Sequence, residues 1–429
     1  MEKSLYQMSS SMYEDRRERI EYWDFRKVNT KEFTHGLHPY PAMMIPQVAR
    51  ELIKIYGKNS SSIIDPFMGS GSTLVEAFLT DNIKYLYGLE INPLAILIAK
   101  VKTQEINLSL VEEYKKKLQE DYFKITPDKI DFKNIDFWFK DYIINDLSKI
   151  RKFIFSIENN SVKDFFLVTL SETVRKVSNQ KKGEFKLVKM KPEQLEKHQP
   201  DVLNIFNEFL NKNILAIKEL RKHIGEYYKG KEINIFMHDS TKNKSSIDNN
   251  SIDLLVTSPP YGDSKTTVAY GQFSRLNSQW IGFENDDIMN VDKECLGGKP
   301  SKNLEYSLKS PTLQKSIDYI ASIDEKRAKE ILSFYIDFDK SIDEIDRVMK
   351  IGSHLCFVVG NRTVKKHKIK TDEIISELFV NRGNYEHEKT IIREIPNKRM
   401  PKKNSPTNKK GELVETMNNE YIVILKKLR

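Results

Sequence analysis

Residues 61–103 contain the same construction twice in succession. "SIID" (62–65) is a short apolar strand, "PFMGSGS" a glycine-rich turn and "TLVEAFLT" a helix; "IKYLYGLEINPLAILIAKVKT" (83–103) repeats strand, turn and helix. Two strands joined through a helix run in the same direction, because a hairpin cannot contain the crossover. The expected fold class is therefore α/β, a doubly wound, Rossmann-like parallel sheet. The rhythm breaks after residue 104 and resumes at "INIFMHDS" (233–240) and "SIDLLVTSPPY" (251–261). Further on come the helix "KEILSFYIDFDKSIDEIDRVMK", the strand "SHLCFVVG" and two β-rich runs, "EKTIIREI" and "EYIVILKK".

Between the two blocks, residues 105–230 are rich in Lys and Glu and carry helical periodicity in "LSLVEEYKKKLQEDYF" and "VLNIFNEFLNKNILAIKELRKHI". This predicts a division into 1–104 (N-terminal arm and first half of the catalytic unit), 105–230 (helical insertion) and 231–429 (second half). Residues 1–35 read as an arm with some helix, "PQVARELIKIY" (46–56) as an amphipathic helix, and 262–320 as a long irregular stretch. The 429 residues carry a net charge of +9, which suits an anionic partner such as nucleic acid. Cys295 and Cys356 lie in no CxxC pair, so neither a disulfide framework nor a zinc site is expected, and no metal is assigned. No apolar run approaches membrane-spanning length, and a soluble, cytoplasmic protein is expected.

Gly69 and Gly71 fall between a strand and a helix, where the chain must turn tightly and a ligand can touch the main chain. Glu90 ends the next strand, about 20 residues on, where an acid can accept the ribose hydroxyls of a nucleoside cofactor. That spacing fits a dinucleotide or S-adenosylmethionine, and an ordinary strand–helix turn with a solvated Glu would read the same. The full GxGxxG fingerprint and a P-loop lysine are both missing. A cofactor without phosphate needs neither. Asp239, in "IFMHDS", is a candidate for the adenine amine or else a helix cap.

"TSPPY" (257–261) ends a strand in two prolines. Proline cannot donate to a sheet ladder, so the strand stops and Ser258, Pro259, Pro260 and Tyr261 are held stiffly at its lip. An exocyclic amine on a nucleobase attacks poorly, because its lone pair is delocalised into the ring. Acceptors aimed at its two hydrogens favour the sp³ geometry that attack requires. The Ser258 oxygen and the Pro259 carbonyl are suitable acceptors, preorganised by the prolines, and Tyr261 offers a ring for an extruded base. Attack through ring carbon C5 would need a cysteine nucleophile, and neither cysteine has that context; both read as structural or incidental.

Here the sequence resembles the amino-methyltransferases that modify DNA. "DPFMGSGST" resembles their cofactor motif, "TSPPY" their catalytic motif, "LEINPLA" their ribose-binding acid with the following Asn-Pro, and "HPYPAMMIPQVARELI" the helix that closes over the cofactor methionine. The likeness covers roughly residues 38–104 and 232–429. It implies S-adenosylmethionine as cofactor, held by Asp65, Phe67, Gly69, Gly71, Glu90, Asn92 and Asp239, with Tyr40 and Pro41 near its methionine end. A serine at the first catalytic position resembles the cytosine-N4 branch. Adenine-N6 enzymes more often carry Asp or Asn there.

Three segments are candidates for DNA contact. "GDSKTTVAYGQFSRLNSQWIGF" begins at the catalytic tetrapeptide and alternates basic and aromatic residues: Lys265, Tyr270, Gln272, Arg275 and Trp280. In the insertion, Arg175, Lys176, Asn179 and Lys182 lie in a basic stretch. The loop "PNKRMPKKNSPTNKKG" (396–411) has six basic residues and no acid, among them Lys398, Arg399, Lys402 and Lys403. A packed loop, a structural cap and a solvated loop are the respective alternatives. The expected function is site-specific methylation of cytosine N4 on a flipped-out base of double-stranded DNA. The resemblance implies a restriction–modification system with a separate endonuclease. Adenine-N6 methylation is the nearest rival, followed by methylation of RNA or of a protein amide, and by a non-catalytic DNA-binding module.

Overall fold

The computed structural model describes residues 13–225, 230–242, 244–264, 266–396, 403–404, 414–415 and 417–429. In chain order, strand β1 (Arg17–Arg19) precedes helix α1 (Pro46–Tyr56), β2 (Ser62–Asp65), α2 (Ser72–Phe78), β3 (Tyr85–Glu90) and α3 (Pro93–Thr103). A helical run follows: α4 (Leu108–Asp121), α5 (Ile135–Trp138), α6 (Asp141–Phe155), α7 (Asn160–Val177), α8 (Pro192–Lys197) and α9 (Val202–Ile224). Then come β4 (Glu232–Met237), β5 (Ile252–Thr257), α10 (Tyr270–Ile281), α11 (Asn285–Glu294), α12 (Pro311–Ala321), α13 (Glu325–Val348), β6 (Met349–Gly360), α14 (Thr371–Val380), β7 (Tyr385–Glu394) and β8 (Asn419–Lys427). Local chemistry sets many of these boundaries. Pro46, Pro93 and Pro311 open helices where a missing N–H costs nothing, and Asn92, Asn107, Asp201 and Asp324 accept backbone N–H groups as caps.

The main sheet has eight strands in the order β1-β7-β8-β6-β5-β2-β3-β4. Only β8 runs antiparallel to its neighbours, β6 and β7; the remaining pairs are parallel. Side chains alternate between two layers. Ile63, Leu254, Val256, Cys356, Val358, Ile422 and Ile424 pack with α1 and α2, whereas Ile64, Leu255, Leu355, Phe357, Val359 and Val423 pack with α12, α13 and α14. This period-2 alternation on strands buried on both faces explains why they read as nearly continuous apolar runs. The chain winds outward from β2 through β3 to β4, then returns to β5 on the other side of β2. The switch point of the sheet therefore lies between β2 and β5.

The stretch 262–320 is not irregular: it holds α10, α11 and α12. Phe273, Leu276, Trp280 and Ile281 form a helical stripe that completes a third apolar cluster, with α3, α4, α6, α7 and α9. The helical insertion thus shares its core with the catalytic half. The N-terminal arm contributes a strand, not only helix. β1, with the charged sequence "RER", forms the outer edge beside β7, where charge is tolerated. Among the described residues, no helix is long and apolar enough to cross a membrane, and no cluster of metal-ligating side chains occurs.

Candidate active site

Ligands of doubly wound sheets bind beyond the carboxyl ends of the strands at the switch point. Here those ends are Asp65 of β2 and Thr257 of β5, and they are tied together: the Thr257 hydroxyl donates to Asp65 Oδ1 at 2.6 Å. Asp65 also accepts from the Phe67 N–H, starting the glycine turn. Burial pushes its carboxyl up to about 6, against those hydrogen bonds. Gly69 and Gly71 have φ of +53° and +82°. A Cβ on Gly71 would lie 2.9 Å from Ala99 Cβ, so this glycine lets α2 and α3 pack closely; it does not line the cleft. The fully buried Lys102 reaches from α3 to the Ser70 carbonyl at 2.8 Å and holds the turn from below. Burial pushes its ammonium down to about 7.

Glu90 closes the other side. Its carboxylate accepts from the backbone N–H groups of Gly69 (2.8 Å), Ile91 (2.9 Å) and Asn92 (2.9 Å). Three donors leave acceptor capacity on a carboxylate that offers about four lone-pair sites, and Glu90 lines the cleft. Burial raises its carboxyl above the ordinary value, opposed by the three N–H groups. Asn92 stands behind the wall instead of in it. Its Oδ1 caps α3 through Leu94 N, and its Nδ2 donates to the Tyr40 hydroxyl at 3.0 Å.

The cleft encloses about 890 Å³ of empty space, the open solvent at its mouth included. Tyr40 and Pro41 form one wall, and Tyr40 stacks on Tyr270 with ring centroids 6.0 Å apart. Phe67, Gly69 and Asp239 also line the cleft. Asp239 accepts from the Thr241 N–H and hydroxyl and pairs with Lys242 at 3.0 Å. Burial would raise its carboxyl, but these partners bring it below the ordinary value. Cys295, which reads as structural or incidental, also lines the cleft; its thiol is pushed well up by burial and then by Glu90. Its place depends on α11, a helix inside the stretch that reads as irregular, so no local sequence signal points to it. Ser258 and Pro260 stand at the cleft, whereas Pro259 is buried and Tyr261 packs toward β6 and β8.

The DNA candidates separate. Trp280 is fully buried, edge-on to Phe139 at 5.5 Å and Phe132 at 6.2 Å, so it is a core residue and not a base-stacking group. Tyr270 belongs to the cleft wall. Gln272 Oε1 accepts from Leu187 N at 3.3 Å, tying α10 to residues 181–189, and Arg275 is half-buried, its Nε without a hydrogen-bond partner among the described residues. Arg175 is engaged within the fold: its guanidinium lies 3.9 Å over the Phe273 ring and donates to the Glu184 carbonyl at 2.6 Å, while burial pushes it down to about 10. Asn179 is buried against the Phe137 carbonyl. Lys176 and Lys182 are exposed. Lys265, Lys398, Arg399, Lys402 and the Lys403 side chain lie outside the described residues.

The chemistry of this cleft suits a nucleoside cofactor without phosphate: the Glu90 carboxylate aimed by three N–H groups, three further acids (Asp65, Asp239 and Glu294), and apolar, aromatic and hydroxyl side chains, with no Lys or Arg in the lining among the described residues. Comparisons with known proteins agree. A family model described as DNA methylase, of the N6/N4 methyltransferases, matches residues 1–101. The type II methyltransferase M.MvaI of Kocuria varians is 44% identical over 436 residues, covering 95% of this chain and 94% of that protein. The type II methyltransferase M.MjaII of Methanocaldococcus jannaschii is 36% identical over 124 residues, 25% of this chain and 23% of that protein. Among solved structures, the rRNA methyltransferase aviRa from Streptomyces viridochromogenes aligns with a TM-score of 0.31 at 10% identity, covering 95% of this chain and 94% of that one. With near-complete coverage at this identity to M.MvaI, the chain belongs to the S-adenosylmethionine-dependent DNA amino-methyltransferases, the family of type II enzymes that methylate adenine N6 or cytosine N4.

Proposed function

We propose that the protein methylates cytosine N4 at a specific site in double-stranded DNA, as the modifying half of a restriction–modification system whose endonuclease is a separate chain. It would act in the cytoplasm, on the DNA it protects. The observation that carries the reading is Ser258, a hydroxyl in place of a carboxylate, standing at the cleft that Glu90 and Asp239 line. Bound S-adenosylmethionine supplies a methyl group on a sulfonium, already activated for transfer. The Glu90 carboxylate takes the ribose hydroxyls, Asp239 the adenine amine, and Tyr40 and Pro41 border the methionine end. Ser258 Oγ and the Pro259 carbonyl would accept hydrogen bonds from the two N–H groups of the target amine and so orient its lone pair; S-adenosylhomocysteine is the leaving group, and one amine proton is released to solvent once the nitrogen carries the methyl group. Tyr261 stacks on the flipped base.

Residues 1–104 and 231–429 form the catalytic part in this reading, and 105–230 the part that helps recognise the target. One contact joins the two parts. His38, just before the Tyr40 wall, has its Nε2 2.9 Å from the Ser171 hydroxyl on α7, so the insertion braces the cofactor cleft.

Glu90→Ala should weaken binding of S-adenosylhomocysteine by roughly 1.5–3 kcal/mol, the worth of a charged acceptor. Calorimetric titration checks this, and unchanged affinity in a folded variant would take Glu90 out of the site. Replacing Lys176 and Lys182 with Ser should lower the slope of log affinity against log salt, by about 0.9 for each phosphate no longer neutralised. Equal slopes for variant and parent would make these lysines solvent-facing only.

A further inference from the structure

A chain of hydrogen bonds leads away from Ser258 to the last strand of the sheet. Ser258 Oγ lies 3.3 Å from the Tyr261 hydroxyl, which donates to Glu420 Oε1 at 3.0 Å. Glu420 is on β8, next to the end of β6, and its other oxygen is paired with Arg393 on β7, its register partner. Arg393 is 2% exposed and donates to the Trp23 carbonyl at 2.7 Å and the Asp24 carbonyl at 3.3 Å, so the whole chain is anchored in the fold. Gly360 lets Tyr261 come this close: a Cβ there would lie 2.7 Å from Tyr261 Cδ2.

The directions of these bonds follow from the donors available. A carboxylate only accepts, and a phenol carries one proton. Tyr261 spends its proton on Glu420 and can only accept from Ser258. The Ser258 hydroxyl must then donate to Tyr261, and its lone pairs are left free on the side of the cleft. Burial, and then Glu420, push the Tyr261 phenol well above its ordinary value, so its proton stays in place.

We propose that Glu420 is a positioning residue for methyl transfer: by holding the Tyr261 proton it fixes the Ser258 hydroxyl as an acceptor for the target amine. The proposal rests on the reading of Ser258 given above. Without Glu420, or without the Tyr261 hydroxyl, the Ser258 proton is free to rotate toward the amine, where it competes with the amine hydrogens.

The test uses the full chain, plasmid DNA from a host lacking the enzyme, and S-adenosylmethionine labelled in the methyl group. Tyr261→Phe keeps the ring and the Glu420–Arg393 pair, so it is the variant least at risk of misfolding. Its single-turnover rate should fall roughly tenfold, the worth of one ordinary hydrogen bond, with DNA KM and S-adenosylhomocysteine affinity unchanged. Glu420→Gln should show the same pattern. In a Ser258→Ala background Tyr261→Phe should have no further effect, because no serine proton remains to be directed. A parental rate for Tyr261→Phe, or the same tenfold loss on top of Ser258→Ala, would overturn the role of Glu420. A parental rate for Ser258→Ala alone would instead overturn the reading of Ser258 on which it rests.

Discussion

Ser258→Ala is expected to lower the single-turnover rate of methyl transfer by on the order of 10²–10³, the cost of one preorganised transition-state partner. Affinity for S-adenosylhomocysteine should stay within about twofold, since the Ser258 hydroxyl bonds to Tyr261 and not to the residues that shape the glycine turn. The loss falls on rate, not binding, because the amine hydrogens need their acceptors most as the nitrogen becomes tetrahedral. The residual activity reflects the Pro259 carbonyl, which the substitution leaves in place. Quenched single-turnover assays with labelled cofactor read the rate, and calorimetry reads the affinity. A loss confined to KM would mean that Ser258 serves ground-state binding alone.

The second large effect concerns stability. Trp280→Ala should cost about 3–5 kcal/mol, as deletion of a fully buried aromatic does. Trp280 has no exposed surface, meets Phe132 and Phe139 edge-on, and offers its carbonyl to the Arg151 guanidinium at 3.0 Å. It therefore joins α10, which begins at the cleft with Tyr270, to the helical insertion. Urea unfolding should show the midpoint moving sharply down. Trp280→Phe should cost less and leave DNA affinity at the parental level. A parental midpoint for Trp280→Ala would contradict the core assignment, and weakened DNA binding in a stable Trp280→Phe would restore the residue to the interface.

The contrast between Ser258 and Trp280 shows what is legible in the sequence. The glycine turn, Glu90 and "TSPPY" are punctuated by residues whose backbone demands are local: glycines at positive φ, a strand-ending acid, paired prolines. Their places follow from short-range chemistry, and the sheet follows from the repeated strand–turn–helix units. α10 escapes a sequence reading because Ser274, Asn277 and Ser278 break up its apolar stripe, although all three are buried. Its aromatics then look like a nucleic-acid surface when two of them face the interior or the cleft. β1 escapes because "RER" has no strand propensity of its own; its pairing with β7 across the whole chain supplies it. Arg175 reads as a candidate DNA contact because charge is visible in sequence, whereas its place over the Phe273 ring is not. Glu420 has no signal at all, lying 159 residues from the tyrosine it holds. Lys102 is similar: a lysine near the end of an apolar helix gives no hint that it supports Ser70.

The identity of the modified base is read most directly from the reaction product. DNA methylated by the purified protein, digested to nucleosides and resolved by mass spectrometry, should contain N4-methylcytosine. N6-methyladenine as the sole product would contradict the cytosine assignment while leaving amine methylation intact, and 5-methylcytosine would contradict both.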